Sequence, residues 1–239
     1  MKASLERGIR FYNQKRYEQA KKELLALEEK PEDNPEIAYY LGLVYSQTEA
    51  YDEAIICLEQ VLLSHQNLFQ IFQCRMILGF IYSKTGRFRL AEMEFKHLID
   101  LGVESPQVYA SMGYALYAQK KTGECIKYLK KALELKPDYA GALNNLGYVY
   151  AEENVDHDQA VELCKKANKL LPGNPVYLDS LGWAYFKAGR PVDAKAYLRK
   201  ALELSKGNRE IAEHLRRIIS GTKTAVDQVE HHNGVSNWK

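Results

Sequence analysis

Apolar residues in this chain recur at three- and four-residue steps over about a dozen positions, stop at a short polar turn, and resume at the same steps. Residues 106–138 show the unit. Tyr109, Met112, Gly113 and Leu116 share one helical face, and Ile126, Leu129, Ala132 and Leu133 form a second stripe. Between them the Lys-Thr-Gly run centred on Thr122 and Gly123 supplies a turn. Pro137 prevents continuation, because proline has no N–H to donate and its ring clashes with the preceding turn. The pattern predicts a helical hairpin, with Pro35, Pro106 and Pro175 at helix starts, where a missing N–H is tolerated.

The hairpin returns about every 34 residues. Its marker is a glycine within the first apolar stripe, at Gly8, Gly42, Gly79, Gly113, Gly147 and Gly182. Twelve residues on stands a small residue, Ala20, Ala54, Ala91, Cys125 or Ala194, with Ala160 displaced by one. Three residues past each glycine comes Phe11, Tyr45, Tyr82, Leu116, Tyr150 or Tyr185. Two antiparallel helices approach closely only where a side chain at the crossing is nearly absent, so the small positions mark helix crossings. A period of this length is the signature of stacked helical hairpins.

Two irregularities can be located by arithmetic. Gly42 and Gly79 are 37 residues apart while both internal spacings stay at 12, which places three extra residues around SHQNLFQIFQ. They either lengthen the second helix of repeat 2 or loosen a loop, and Leu68, Phe69, Ile71 and Phe72 are read as buried against the neighbouring hairpin, with a docking bump as the alternative. One further residue enters the turn ENVDHD of repeat 5.

Composition narrows the function. Lys and Arg number 33 against 31 Asp and Glu, so no strong global field recruits nucleic acid. No apolar stretch approaches the roughly 20 residues of a membrane span, and MKASLERGIRFYNQ lacks the apolar run of a secretory signal; a cytoplasmic protein is the expectation, a trimmed exported form the alternative. Cys57, Cys74, Cys125 and Cys164 have no metal-ligand spacing and read as buried filler. His65, His97, His157 and His214 are dispersed, and the His231–His232 pair has no third ligand in register. No phosphate loop, nucleophile elbow or HExxH motif occurs, so neither catalysis nor a cofactor is expected. Lys127, Lys130, Lys131, Lys165, Lys166, Lys169, Lys195, Arg199 and Lys200 recur at one phase of the second helices, but Glu134, Glu162 and Glu203 interrupt them and give a solvated flank.

LDSLGWAY (178–185), NNLGYVY (144–150) and YYLGLVY (39–45) resemble the tetratricopeptide repeat pattern W-x2-L-G-x2-Y, followed by A-x3-F and P. NNLGYVYAEEN followed by LDSLGWAYFKAGR is similar to the closing repeats of bacterial members. The resemblance implies an all-α, right-handed superhelical solenoid of six helix-turn-helix repeats, at about 1–34, 35–71, 72–105, 106–139, 140–174 and 175–208. REIAEHLRRIIS (209–220), with Ile211, Leu215, Ile218 and Ile219 on one face, is then a capping helix over the last repeat's open edge. Residues 221–239, including Trp238, form a flexible tail without periodicity.

The resemblance also implies a function, because in this family the first helices line a concave groove that grips peptides. The residue after each repeat glycine faces that groove. Here it is Ile9, Leu43, Phe80, Tyr114, Tyr148 and Trp183, all apolar where the family is commonly polar. Neighbouring phases add Tyr39, Tyr40, Met76, Tyr117, Asn144, Asn145, Ser180 and Phe186. This predicts a scaffold or adaptor that holds a peptide or helix of a partner protein on aromatic anchors, with Asn144 and Asn145 orienting it. Mutual burial of these residues is the competing reading. Self-association, with the C-terminal tail or a second copy in the groove, is a third, and a structural subunit held by its convex face or ends is a fourth. A clamp for a chaperone's C-terminal carboxylate is excluded: of Ala110, Tyr114, Asn145, Val176 and Ser180, only Asn145 fits.

Overall fold

The computed structural model describes residues 2–64 and 67–220, and these are helices and short connections with no strand among them. The expectations placed on His65, His231, His232, Trp238 and the tail 221–239 lie outside the described residues. The described residues divide into two compact units, those up to 104 with 118–120, and 105–117 with 121–220. The first unit contains α1 (Lys2–Asn13), α2 (Tyr17–Leu25), α3 (Pro35–Gln47), α4 (Tyr51–Ser64), α5 (Leu68–Lys84) and α6 (Phe88–Asp100). The second contains α7 (Pro106–Ala118), α8 (Thr122–Leu135), α9 (Ala140–Glu152), α10 (His157–Leu170), α11 (Pro175–Lys187), α12 (Pro191–Leu204) and a terminal helix, α13 (209–220). No helix of the described residues is long and apolar enough to cross a membrane.

Each helix pair closes through the same device. In every hairpin turn one residue takes a left-handed conformation: Lys15, Glu49, Gly86, Lys120, Asn154 and Gly189, with φ between +54° and +74°. The next residue's N–H then donates back to the carbonyl of Phe11, Tyr45, Tyr82, Leu116, Tyr150 or Tyr185, at 2.8–3.0 Å. This satisfies a carbonyl that the helix end leaves without a partner. The acceptors are the residues that the sequence marks three positions past the repeat glycine. Helix starts are capped by side chains: Asn34 accepts from the Glu36 and Ile37 N–H groups, Asn174 from Val176, and Asp156 from Gln159.

The repeat glycines sit at close crossings. A methyl group at Gly79 would lie 2.5 Å from the Phe95 ring, and one at Gly147 would lie 2.6 Å from Cys164 Sγ. The small residues Ala20, Ala54, Ala91, Cys125, Ala160 and Ala194 are all fully buried. The four cysteines are buried and free. Burial pushes the thiol of Cys57 up to about 11 and those of Cys74, Cys125 and Cys164 up to about 12.

Three local expectations need correction. Thr122 and Gly123 are the first residues of α8 rather than its preceding turn, because Lys120 makes the left-handed bend. The insertion between repeats 2 and 3 lengthens the first helix of repeat 3, so α5 has 17 residues where α3, α7, α9 and α11 each have 13. Asn67 caps the added turn by accepting from the Phe69 and Gln70 N–H groups, which makes helical extension favourable. Leu68 and Phe69 are exposed rather than buried, at 80% and 65%, while Ile71 and Phe72 are half-buried. The extra residue of repeat 5 does enter the turn, which runs over four residues, Glu153–Asp156.

Candidate partner-binding face

Successive first helices touch one another within each unit, α1 with α3, α3 with α5, and α9 with α11, and within each unit second helices pack on the following first helix, α2 on α3, α4 on α5, α8 on α9 and α10 on α11. Within each unit the first helices therefore form a row with a shared face. In the first unit that face carries a tyrosine cluster: Tyr12 and Tyr40 are 6.1 Å apart edge-on, and Tyr39 and Tyr40 are 5.2 Å apart. Tyr39 is buried and donates its hydroxyl to Gln73 of α5. Burial pushes its phenol up to about 12, so it is a neutral donor near neutral pH. Leu43 is buried, Met76 is half-buried, and Phe80 is half-exposed with the Lys84 ammonium 5.6 Å from its ring.

In the second unit, Tyr114 is half-exposed and Tyr117 meets Tyr148 edge-to-face at 6.2 Å. Burial, reinforced by the Glu152 and Asp179 carboxylates, pushes the Tyr148 phenol up to about 12. Asn145 is half-buried. Asn144 is buried; its amide nitrogen donates to Asn145 Oδ1 at 3.4 Å, and its own Oδ1 has no hydrogen-bond partner. Ser180 is also buried. Trp183 is buried at 5%, with Phe186 at 5.4 Å, and its indole N–H donates to Glu152 of α9 at 2.7 Å. Tyr39, Leu43, Asn144, Ser180 and Trp183 are thus closed off rather than solvent-reachable. Tyr40, Met76, Tyr117, Asn145, Tyr148 and Phe186 are partly covered, and only Phe80 and Tyr114 of the expected anchors count as exposed.

The covering element over Trp183 is α13. The His214 ring stacks on Trp183 with centroids 4.6 Å apart and lies 6.4 Å from Tyr148. His214 Nδ1 donates to the Asp179 carboxylate at 2.9 and 3.0 Å, and both side chains are largely buried. The terminal helix therefore lies against the aromatic face of α9 and α11. Sequence reasoning missed His214, Asp179 and Glu152 as members of this face. The available signals were spacing signals: His214 is three residues from Ile211 on the apolar stripe, and Asp179 is four residues before Trp183.

The arrangement offers aromatic surface and neutral donors around the His214–Asp179 pair, whose ring and carboxylate hydrogen-bond to each other. Among the described residues no three or more His, Cys, Asp or Glu side chains gather as a metal site. Models of the tetratricopeptide repeat match residues 5–64, 104–154 and 175–208. The chain is a tetratricopeptide repeat protein. Such proteins mediate protein–protein interaction and the assembly of complexes. This repeat protein is 43% identical over 89 residues to a TPR repeat-containing protein of Pseudomonas aeruginosa, covering 37% of this chain and 15% of that one. It is 24% identical to the anaphase-promoting complex subunit CDC16 of Saccharomyces cerevisiae, covering 77% of this chain and 26% of the subunit. The chain thus spans between 15% and 26% of the length of the curated relatives it matches. Among solved structures, MamA is similar with a TM-score of 0.56 and 28% identity, over 72% of this chain and 92% of MamA.

Proposed function

We propose that this protein is a non-catalytic scaffold that holds a peptide or helix of a partner protein on the face shared by the first helices of its second unit. The observation that carries the reading is the seating of a helix there already: α13 packs on Trp183 and Tyr148 through one flat ring and one carboxylate pair. A surface that accepts an amphipathic helix from its own chain has the shape and chemistry to accept one from elsewhere. Tyr114 and Tyr117 flank that seat and supply large contact area with neutral hydroxyls, the chemistry enriched at protein interfaces.

The test is site-specific photo-crosslinking from native lysate, with the photoreactive residue at Tyr114 in one chain and at the exposed Val192 of α12 in another. A partner captured at 114 and absent at 192 supports the face. Capture at 192 with nothing at 114 would move binding to the second helices and refute the proposal. The second reading, a subunit held by another surface, is favoured by the exposed Leu68 and Phe69 at the lengthened start of α5. For it, stoichiometric co-purification is lost in Leu68→Ser/Phe69→Ser and kept in Tyr114→Ala.

A further inference from the structure

We propose that α13 is a displaceable internal occupant of the partner-binding face, and that the partner is a helix of the same chemistry. That partner helix presents two apolar residues seven positions apart, with a flat ring carrying an N–H donor between them. The inference rests on the scaffold reading and specifies how the site is gated and what it recognises.

Four observations converge on it. First, α13 is anchored sparsely: of its twelve residues only Ile211 and Ile218 are buried, while Leu215 is half-buried and Ile219 is 38% exposed. Second, contacts from His214 and Glu210 reach the first helices of the second unit. His214 bridges Trp183, Tyr148 and Asp179, and the negative charge of Glu210 reaches Tyr114 and Tyr148. Third, the seat is incomplete. A cleft of about 770 Å³ remains between Tyr148 and α13, edged by His214, Arg209, Arg216 and Arg217 and by the Glu210 and Glu213 carboxylates. Fourth, the connection lies outside the core. Residues 206–210 are all exposed, and the turn is held by the Gly207 N–H donating to the Leu202 carbonyl at 3.0 Å and by Asn208 accepting from the Glu210 and Ile211 N–H groups, so a swing of α13 there disturbs surface hydrogen bonds rather than buried side chains of the connection.

The Asp179 carboxylate gives the recognition rule. It is buried at the face beneath α13 and satisfied by a donor from that helix, so a replacement that covers it again without a donor leaves a buried charge without its partner. An incoming helix therefore competes only if it brings an N–H donor to Asp179 and a flat surface to Trp183. A purely apolar helix meets the first need badly, and this sets specificity.

The test uses the full chain with Trp238→Phe, leaving Trp183 as the single indole reporter, and a labelled synthetic peptide of residues 208–220 as probe. Three chains are compared on that background: unchanged, His214→Ala/Ile218→Ala, and Ile211→Ser/Leu215→Ser/Ile218→Ser/Ile219→Ser. Hydrogen exchange should show residues 211–220 losing protection in both variants while α11 keeps its own. The peptide should bind the variants at least about tenfold more tightly than the unchanged chain, shifting Trp183 emission. A peptide carrying His214→Ala should lose most of that binding.

Equal peptide affinity for all three chains, or none for a chain whose α13 has lost protection, overturns the proposal. Retained protection in the four-serine chain overturns it as well, because a helix that stays after losing its anchors is not displaceable. A concentration-dependent dimer of the loosened chains in sedimentation, with the peptide unable to compete, makes a second copy the occupant and also overturns it. The peptide assay needs no foreign partner. Its failure sinks the latch and leaves crosslinking at Tyr114 standing, whereas loss of that crosslinking with peptide binding intact sinks the scaffold reading.

Discussion

Replacing Gly147 by alanine adds one carbon at the tightest backbone crossing of the second unit. That carbon would lie 2.6 Å from Cys164 Sγ, 3.0 Å from the Ala160 carbonyl oxygen and 3.1 Å from the Cys164 amide nitrogen. Two of the three neighbours are backbone of α10, so the conflict is relieved by separating the helices rather than by turning a side chain. Overpacking of this kind costs about 1–3 kcal/mol. Alanine recovers about 0.8–1 kcal/mol over glycine from helix propensity. With backbone on the receiving side the upper part of the range applies, and the net loss is about 1–2 kcal/mol.

Gly123 provides the internal control, because it lies in the first turn of α8 and a methyl group there meets nothing within 4 Å. The same substitution at 123 should stabilise the chain by about 0.4–1 kcal/mol. Urea unfolding followed by far-ultraviolet circular dichroism should therefore move the two midpoints in opposite directions. Adding Cys164→Ala to Gly147→Ala removes the sulfur and leaves the backbone conflict, so the cycle should show partial recovery. A Gly147→Ala midpoint at or above wild type would refute the assignment of this glycine to a crossing.

Glu49→Gly and Lys120→Gly remove a side chain from a left-handed position and should raise the melting temperature, gaining about 0.5–1 kcal/mol each by calorimetry. Trp183→Ala should lose about 3–5 kcal/mol as a core truncation, while Tyr114→Ala stays within about 1 kcal/mol, measured by the same denaturation. The thiols should react with a disulfide reagent only after unfolding; rapid labelling of the native chain would contradict their burial. Their raised values also set a pH dependence. Between about 9, where unfolded thiols ionise, and 11–12, where the folded ones do, the native chain binds more protons than the unfolded one. Stability should fall as pH rises through that window, by up to about 1.4 kcal/mol per pH unit for each thiol, and a flat profile would refute it.

The hairpins were legible because each repeat writes the same physical requirement in the same place, a glycine where helices cross and an alanine or cysteine opposite, and several add a proline or capping asparagine at a helix start. The arithmetic of Gly42, Gly79 and Gly147 also located both insertions, since a fixed crossing geometry makes every extra residue countable. It did not say which helix absorbed the first insertion, because that depended on the capping carboxamide of Asn67. The face was half legible. Phase identifies the side of a helix on which Tyr148 and Trp183 lie, yet their exposure depends on α13, and nothing in a periodic pattern states where a terminal helix lands. Asp179, Glu152 and His214 went unrecognised because each looks like an ordinary solvated polar residue until its partner 31 or 35 positions away is known.

Those separations carry a kinetic consequence. Tyr82 meets Glu59 across 23 residues, Trp183 meets Glu152 across 31, Tyr39 meets Gln73 across 34, and His214 meets Asp179 across 35. Partners this near along the chain are found after closing only a short loop, and the entropy of loop closure grows with loop length. Low contact order of this kind gives rapid folding that can begin in any hairpin and spread to the next. A chain emerging from a ribosome can then settle each hairpin as its successor is synthesised, without waiting for a distant segment.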